Sequence, residues 1–231
     1  MCPRPIVALG TVLLTAAALT ITSCGATTGT NSQNTYTVAE PVTSIKIGNP
    51  VGYTDIEGTD TTVVAVTEQI TYTGNRPHTS HSITDDQLAF NYTCPSGINV
   101  NCGVSYMVKV PRRIAVQIDD KVGGVTLIGL AGQLNVTSST GKIDATGLTS
   151  EAVTARASAG TITLAFTAPP TTVSVQTQVG SVTVRLPAST TYAVDAGSQV
   201  GSVEVTVQRD SGSTHRVAVH SEVGSVTVNN G

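Results

Sequence analysis

The chain has 231 residues, enough for one large domain or two small ones, with 12% charged residues and a net charge of −3. With 12 Lys+Arg against 15 Asp+Glu it has no obvious basic face for nucleic acid, and 3% aromatics without Trp leave little with which to stack sugars or bases. The wealth of Val, Ile and Thr excludes a helical bundle or a disordered chain and points to an all-β protein.

The first segment reads as an address. Arg4 supplies a positive start, and Ile6 to Leu19 form an apolar run too short to span a membrane comfortably. Ile21-Thr22-Ser23-Cys24 follows, and it resembles the bacterial lipobox. Residues 1–23 are therefore expected to be a lipoprotein signal peptide and Cys24 the lipidated first residue of the mature chain. The rival is an ordinary secretory signal with a coincidental cysteine. Two or more acyl chains hold a protein stably, whereas one does so marginally. The expected location is the outer face of a bacterial cell membrane. Residues 24–35, small, polar and without periodicity, are expected to be a flexible tether.

Residues 36–121 read as an irregular β portion. Ser44 to Gly48, Thr62 to Tyr72, Leu88 to Tyr92 and Val104 to Val110 alternate or are rich in Val and Thr. Pro111 ends the last of these strands, and Ile114, Val116 and Ile118 begin the next. Gly74 to Asp86, with Pro77, His78 and His81, is the longest stretch expected to be irregular. Once Cys2 leaves with the signal and Cys24 carries lipid, Cys94 and Cys102 remain, and in an exported protein a disulfide is the default. A metal site is the rival for this pair, but the spacing is not C-x₂-C and no His is near.

Residues 122–231 read as regular strand repeats. Val179-Gly180-Ser181-Val182-Thr183-Val184 recurs at Val200 to Val205 and at Val223 to Val228. Weaker copies begin at Val122, Ala131, Thr140 and Ala159. The period predicts one strand per nine or ten residues, paired into units near twenty. Val125, Leu134, Ile143, Ile162, Val182, Val203 and Val226 are expected at equivalent inward positions. Residues 36–231 are expected to form one continuous domain: an elongated β-solenoid or β-helix-like stack, with an antiparallel β-sandwich meander as alternative. No significant helix is expected after the signal peptide.

The strand-opening glycines, the Cys94–Cys102 segment followed by Val110-Pro111, and Leu186-Pro187 with Tyr192 resemble the bacterial putative-adhesin family of β-strand repeats, a domain family of unknown function. The resemblance covers about residues 40–230. It implies an elongated all-β repeat fold at the cell envelope, often lipid-anchored, and it implies no catalytic residues.

No catalytic, metal or cofactor site is expected. His78 and His81 lie in a turn-rich stretch, and Asp85-Asp86 and Asp119-Asp120 are adjacent pairs whose side chains diverge in an extended chain. The leading expectation is a non-catalytic envelope lipoprotein that presents its repeat surface for adhesion, scaffolding or sensing. The alternative is a carbohydrate-active β-helix enzyme, which needs outward carboxylates such as Asp119, Asp144, Asp195, Glu204 and Glu222 to converge. The expected partners are the membrane, through Cys24, and an envelope protein or glycan, with no nucleic acid. Val223, Ser225 and Thr227 are expected to form an open terminal edge, available to a partner or to a second copy.

Overall fold

Alternating branched residues can bury one face only if a second sheet covers it, and here two sheets cover each other. The computed structural model describes residues 29–96 and 101–231, so the expected signal peptide and Cys24 lie outside the described residues. The irregular half contains β1 (Thr30–Val38), β2 (Ser44–Val51), β3 (Thr54–Thr59), β4 (Val64–Tyr72), β5 (His78–Thr84), β6 (Gln87–Thr93) and β7 (Cys102–Pro111). β8 (Ala115–Val122), β9 (Val125–Ile128), β10 (Leu134–Thr140), β11 (Ile143–Leu148), β12 (Ala152–Ala159) and β13 (Ile162–Phe166) open the regular half. It ends with β14 (Thr172–Val179), β15 (Val182–Leu186), β16 (Ala193–Val200), β17 (Val203–Val205), β18 (Arg216–Val223) and β19 (Val226–Asn230).

The first sheet runs β1-β4-β7-β3-β9-β11-β13-β15-β19-β17, and the second runs β16-β18-β14-β12-β10-β8-β2-β6-β5. Antiparallel pairs among the described residues are β1–β4, β4–β7 and β5–β6. The rest of both ladders is parallel, which makes this the expected all-β solenoid and not the antiparallel meander. Each regular coil is one strand of the second sheet, a glycine corner, and one strand of the first.

The corner explains the repeated glycine. Gly123, Gly141, Gly160, Gly180, Gly224 and Gly201 all have φ between +143° and +154°, where L side chains are rare. At Gly160 a Cβ would also collide with the carbonyl of Gly141 on the coil below. Gly132, counted in the nine-residue period, belongs to the opposite corner and packs on the Ile114 carbonyl. The true coil length is therefore the longer spacing, near twenty residues.

Inside, Val125, Ile143, Ile162, Val182, Val226 and Val203 stack as one column of the first sheet. Leu134 is buried but stands in the second sheet, beside Val116 and Val153. Val203, on an edge strand, is 44% exposed.

Two coils are out of chain order. β6–β7 stacks outside β2–β3, so β8–β9 joins the stack on the other side of β2–β3. At the far end β18–β19 slots between β14–β15 and β16–β17.

Several expectations change in the irregular half. Residues 30–35 of the expected tether are part of β1, because they find the free edge of β4 and pair from Thr30↔Tyr72 to Val38↔Val64. Residues 78–84 of the stretch expected to be irregular form β5, a hairpin partner of β6. Its turn is Asp85-Asp86, both at positive φ (50° and 57°), the conformation that tight hairpins demand. Cys94 and Cys102 are disulfide-bonded, with Cα atoms 6.0 Å apart. The bond closes the β6–β7 connection, where the regular coils have their glycine corner.

Candidate functional site

Alternation sends every second side chain of the second sheet outward, and parallel registration stacks them in rows. One row contains Asp119, Thr137, Arg156, Gln176, His220 and Gly197, on six successive strands. The next contains Ser158, Gln178, Glu222 and Gln199. Together they line an open groove of about 700 Å³ that crosses β10, β12, β14, β18 and β16. Gly197 lowers the floor at one end; a Cβ there would press on His220 Nδ1. Arg156 Nε donates to Gln176 Oε1 (3.3 Å), and His220 Nε2 lies 3.3 Å from Asp195 Oδ2. The groove is thus a run of amides and hydroxyls with one guanidinium and one imidazole, suited to hydrogen bonding along an extended polar ligand.

Behind it lies an inward polar column that the sequence reading missed. Asn49, Asp120, Ser138, Thr177, Ser221 and Ser198 each stand three residues before a corner glycine, and they stack in register. Thr177 and Ser221 hydroxyls donate to the carbonyls of Gly160 and Gly180 (3.4 and 2.9 Å), and Ser198 donates to that of Gly224 (2.7 Å). These bonds tie each corner to the next. The signal was present in the sequence as Ser, Thr, Asn or Asp at a fixed offset from Gly. Asp120 is the exception in chemistry. It is fully buried, both carboxylate oxygens lack partners, and burial followed by the neighbouring Asp119 carboxylate pushes it up to about 7.

The other candidates are dispersed. His81 stacks on Tyr36 with ring centroids 4.8 Å apart, and His78 lies three residues away on the same strand, hence on the opposite face. Among the described residues no three His, Cys, Asp or Glu side chains are placed to hold a metal. Asp119 pairs with Lys121 on the second sheet, and Asp144 pairs with Lys142 on the first. Asp119 and Asp195 lie five strands apart, about 24 Å at the usual spacing. Asp195 and Glu222 are on adjacent strands but four residues apart in register, about 13 Å. Neither separation fits the roughly 5–9.5 Å that paired glycosidase carboxylates need.

The expected open edge at Val223, Ser225 and Thr227 is not an edge. β19 is paired on both sides, by β15 and β17, and β18 lies between β14 and β16. The penultimate coil, not the last, ends the stack, because the final coil inserts beneath it.

Residues 116–229 match the Toastrack DUF4097 family. Among solved structures, the chain is similar to a putative cell adhesion protein from Clostridium sporogenes ATCC 15579, at 15% identity and a TM-score of 0.53, covering 87% of this chain and 100% of that one. It is also similar to a putative adhesin from Bacteroides fragilis NCTC 9343, at 15% identity and a TM-score of 0.52, covering 85% and 97%. At such identities the likeness is one of fold. No curated protein matches the chain.

Proposed function

Taking the chain as a Toastrack-domain protein with the fold of adhesin-named structures, we propose that it is an exported, non-catalytic adhesion-type lipoprotein, held to the membrane through Cys24, that binds an extended envelope glycan along the groove of the second sheet. The groove carries this reading: it is open along its length, crosses five strands, and repeats hydrogen-bonding groups at the strand spacing. A polymer with many hydroxyls can satisfy such a surface rung by rung, whereas a small ligand would remain largely exposed. The separated carboxylates described above favour binding over cleavage.

Two experiments test it. Titration of purified envelope polysaccharide into the protein should give saturable binding. Arg156→Ala combined with Gln176→Ala should weaken that binding at least tenfold, by loss of a charged and an amide contact worth about 1.5–3 and 0.5–1.5 kcal/mol. Unchanged binding would remove the groove from consideration. Mass spectrometry of the native N-terminus should find diacylglycerol on Cys24, and Cys24→Ser should release the protein from membranes. An unmodified N-terminus elsewhere would sink the anchor.

A further inference from the structure

The two ends of the solenoid are finished differently. At one end β4 and β1 extend the first sheet with antiparallel strands, and β5 ends the second. Glu68, only 2% exposed, accepts hydrogen bonds there from Asn34 Nδ2 (3.1 Å), the Tyr36 hydroxyl (2.9 Å) and the Thr79 hydroxyl (2.8 Å). That polar plug ties β1, β4 and β5 across the gap between the sheets.

The other end has no such closure. β16 and β17 terminate the two sheets, and among the described residues no strand pairs with their outer edges. Ala193 N–H donates to the His215 carbonyl (2.8 Å), on the β18 side. In a parallel ladder the next residues alternate, so the backbone groups of Val194, Ala196 and Ser198 point away from β18. Between the edges opens a cleft of about 420 Å³, lined by Val194, Ala196, Val203 and Val205, with Asp195 and Arg209 also at its walls. Val194, Ala196 and Val205 are half-buried, whereas their counterparts one coil in, Val217, Val219 and Val228, are fully buried.

We infer that this end pairs with the same end of a second copy of the chain, extending both sheets across a two-fold axis. The geometry selects the occupant. A single added strand completes one edge and leaves the other bare. Two edges about 10 Å apart, with an apolar cleft between them, are completed together by a partner that has two edges at the same spacing. The uncapped end of this chain is such a partner. A two-fold perpendicular to the sheets sets each edge antiparallel to its copy, the isologous arrangement of most homodimers. Centred on Ala196, it places Asp195 opposite Gly197 of the second copy, so the two Asp195 carboxylates do not face each other. The sheet-two grooves of both copies, which reach β16, then become continuous. The inference stands apart from the glycan and the lipid anchor, since it uses only the end strands.

Sedimentation equilibrium of the purified full-length chain, with cysteine reporters in parallel, tests it. The parent should be a dimer at micromolar concentration. Ala196→Cys should form an intermolecular disulfide on mild oxidation, and Ser80→Cys, on β5 at the opposite end, should not exceed the parent's background. Val194→Lys, which aims a charge into the cleft, should abolish the dimer while the strand spectrum by circular dichroism is retained. A monomeric parent, cross-linking at residue 80 as efficient as at 196, or a folded Val194→Lys dimer would each overturn the inference. The parent measurement and the two reporters decide it even if Val194→Lys does not fold.

Discussion

Asp120 is the residue at which the ladder's rule and its chemistry conflict. Its neighbours in the column are Asn49 and Ser138, neutral groups that can donate, while a carboxylate cannot. Burial keeps its carboxyl protonated up to about 7, against an ordinary value of 3.8. An unfolded chain releases that proton near 3.8, whereas the folded one holds it until about 7. Folding stability should therefore fall as pH rises across that interval and level off above it. Asp120→Asn, which supplies a donor as Asn49 does, should abolish this fall and raise stability at pH 8 by on the order of 1–3 kcal/mol. Urea midpoints of both proteins at pH 4 and pH 8 check the difference; a parent with equal stability at both would refute it. Gly160 makes the complementary point. Its φ of +149° and its contact with the Gly141 carbonyl leave no space for a side chain. Gly160→Ala should cost on the order of 1–3 kcal/mol by the same measurement.

At the scale of one strand, position in the stack decides what a repeat contributes. Ile162 and Val203 occupy the same column, yet Ile162 is fully buried between two coils and Val203 is 44% exposed at the end. Ile162→Ala should cost about 2–5 kcal/mol, and Val203→Ala less than about 1 kcal/mol, since little packed surface is lost. Equal costs would mean that the end coil is covered in solution, and a smaller difference at high protein concentration would point to the end-to-end dimer. Sequence alternation identified both residues as inward-facing. It could not tell an inner rung from an edge, because the two copies of the motif are almost the same in sequence.

For the whole molecule, chain order and stacking order differ at both ends. Because β18–β19 lies beneath β16–β17, the last segment of chain supports the one before it. Truncation after Val205 should therefore cost two coils and not one. Limited proteolysis of that truncated protein should leave a resistant core ending near Leu186, with residues 193–205 digested. A resistant fragment reaching residue 205 would show that β16–β17 can dock on β14–β15 unaided. The stack contains no closed barrel, so each sheet has two edges. The polar plug around Glu68 finishes one end, and the cleft beside Val194 and Val205 leaves the other open.

The sequence by itself determined the class of fold, the inward columns and the disulfide. Period-two alternation, a glycine before each strand, and two cysteines flanking one connection are local features, and local sterics translate them directly into strands, corners and a closed loop. It also contained the polar column, legible in hindsight as a hydroxyl or amide three residues before Gly at Asn49, Ser138, Thr177, Ser198 and Ser221. Tertiary structure decided which strands are neighbours. That choice moved the free edge from Val223, Ser225 and Thr227 to β16 and β17, turned residues 30–35 into a strand, and placed the groove. The cause is physical: nearly identical repeats offer nearly identical ladder partners, so pairing order is set by the connections and by which coil covers which, quantities that belong to no single stretch of chain.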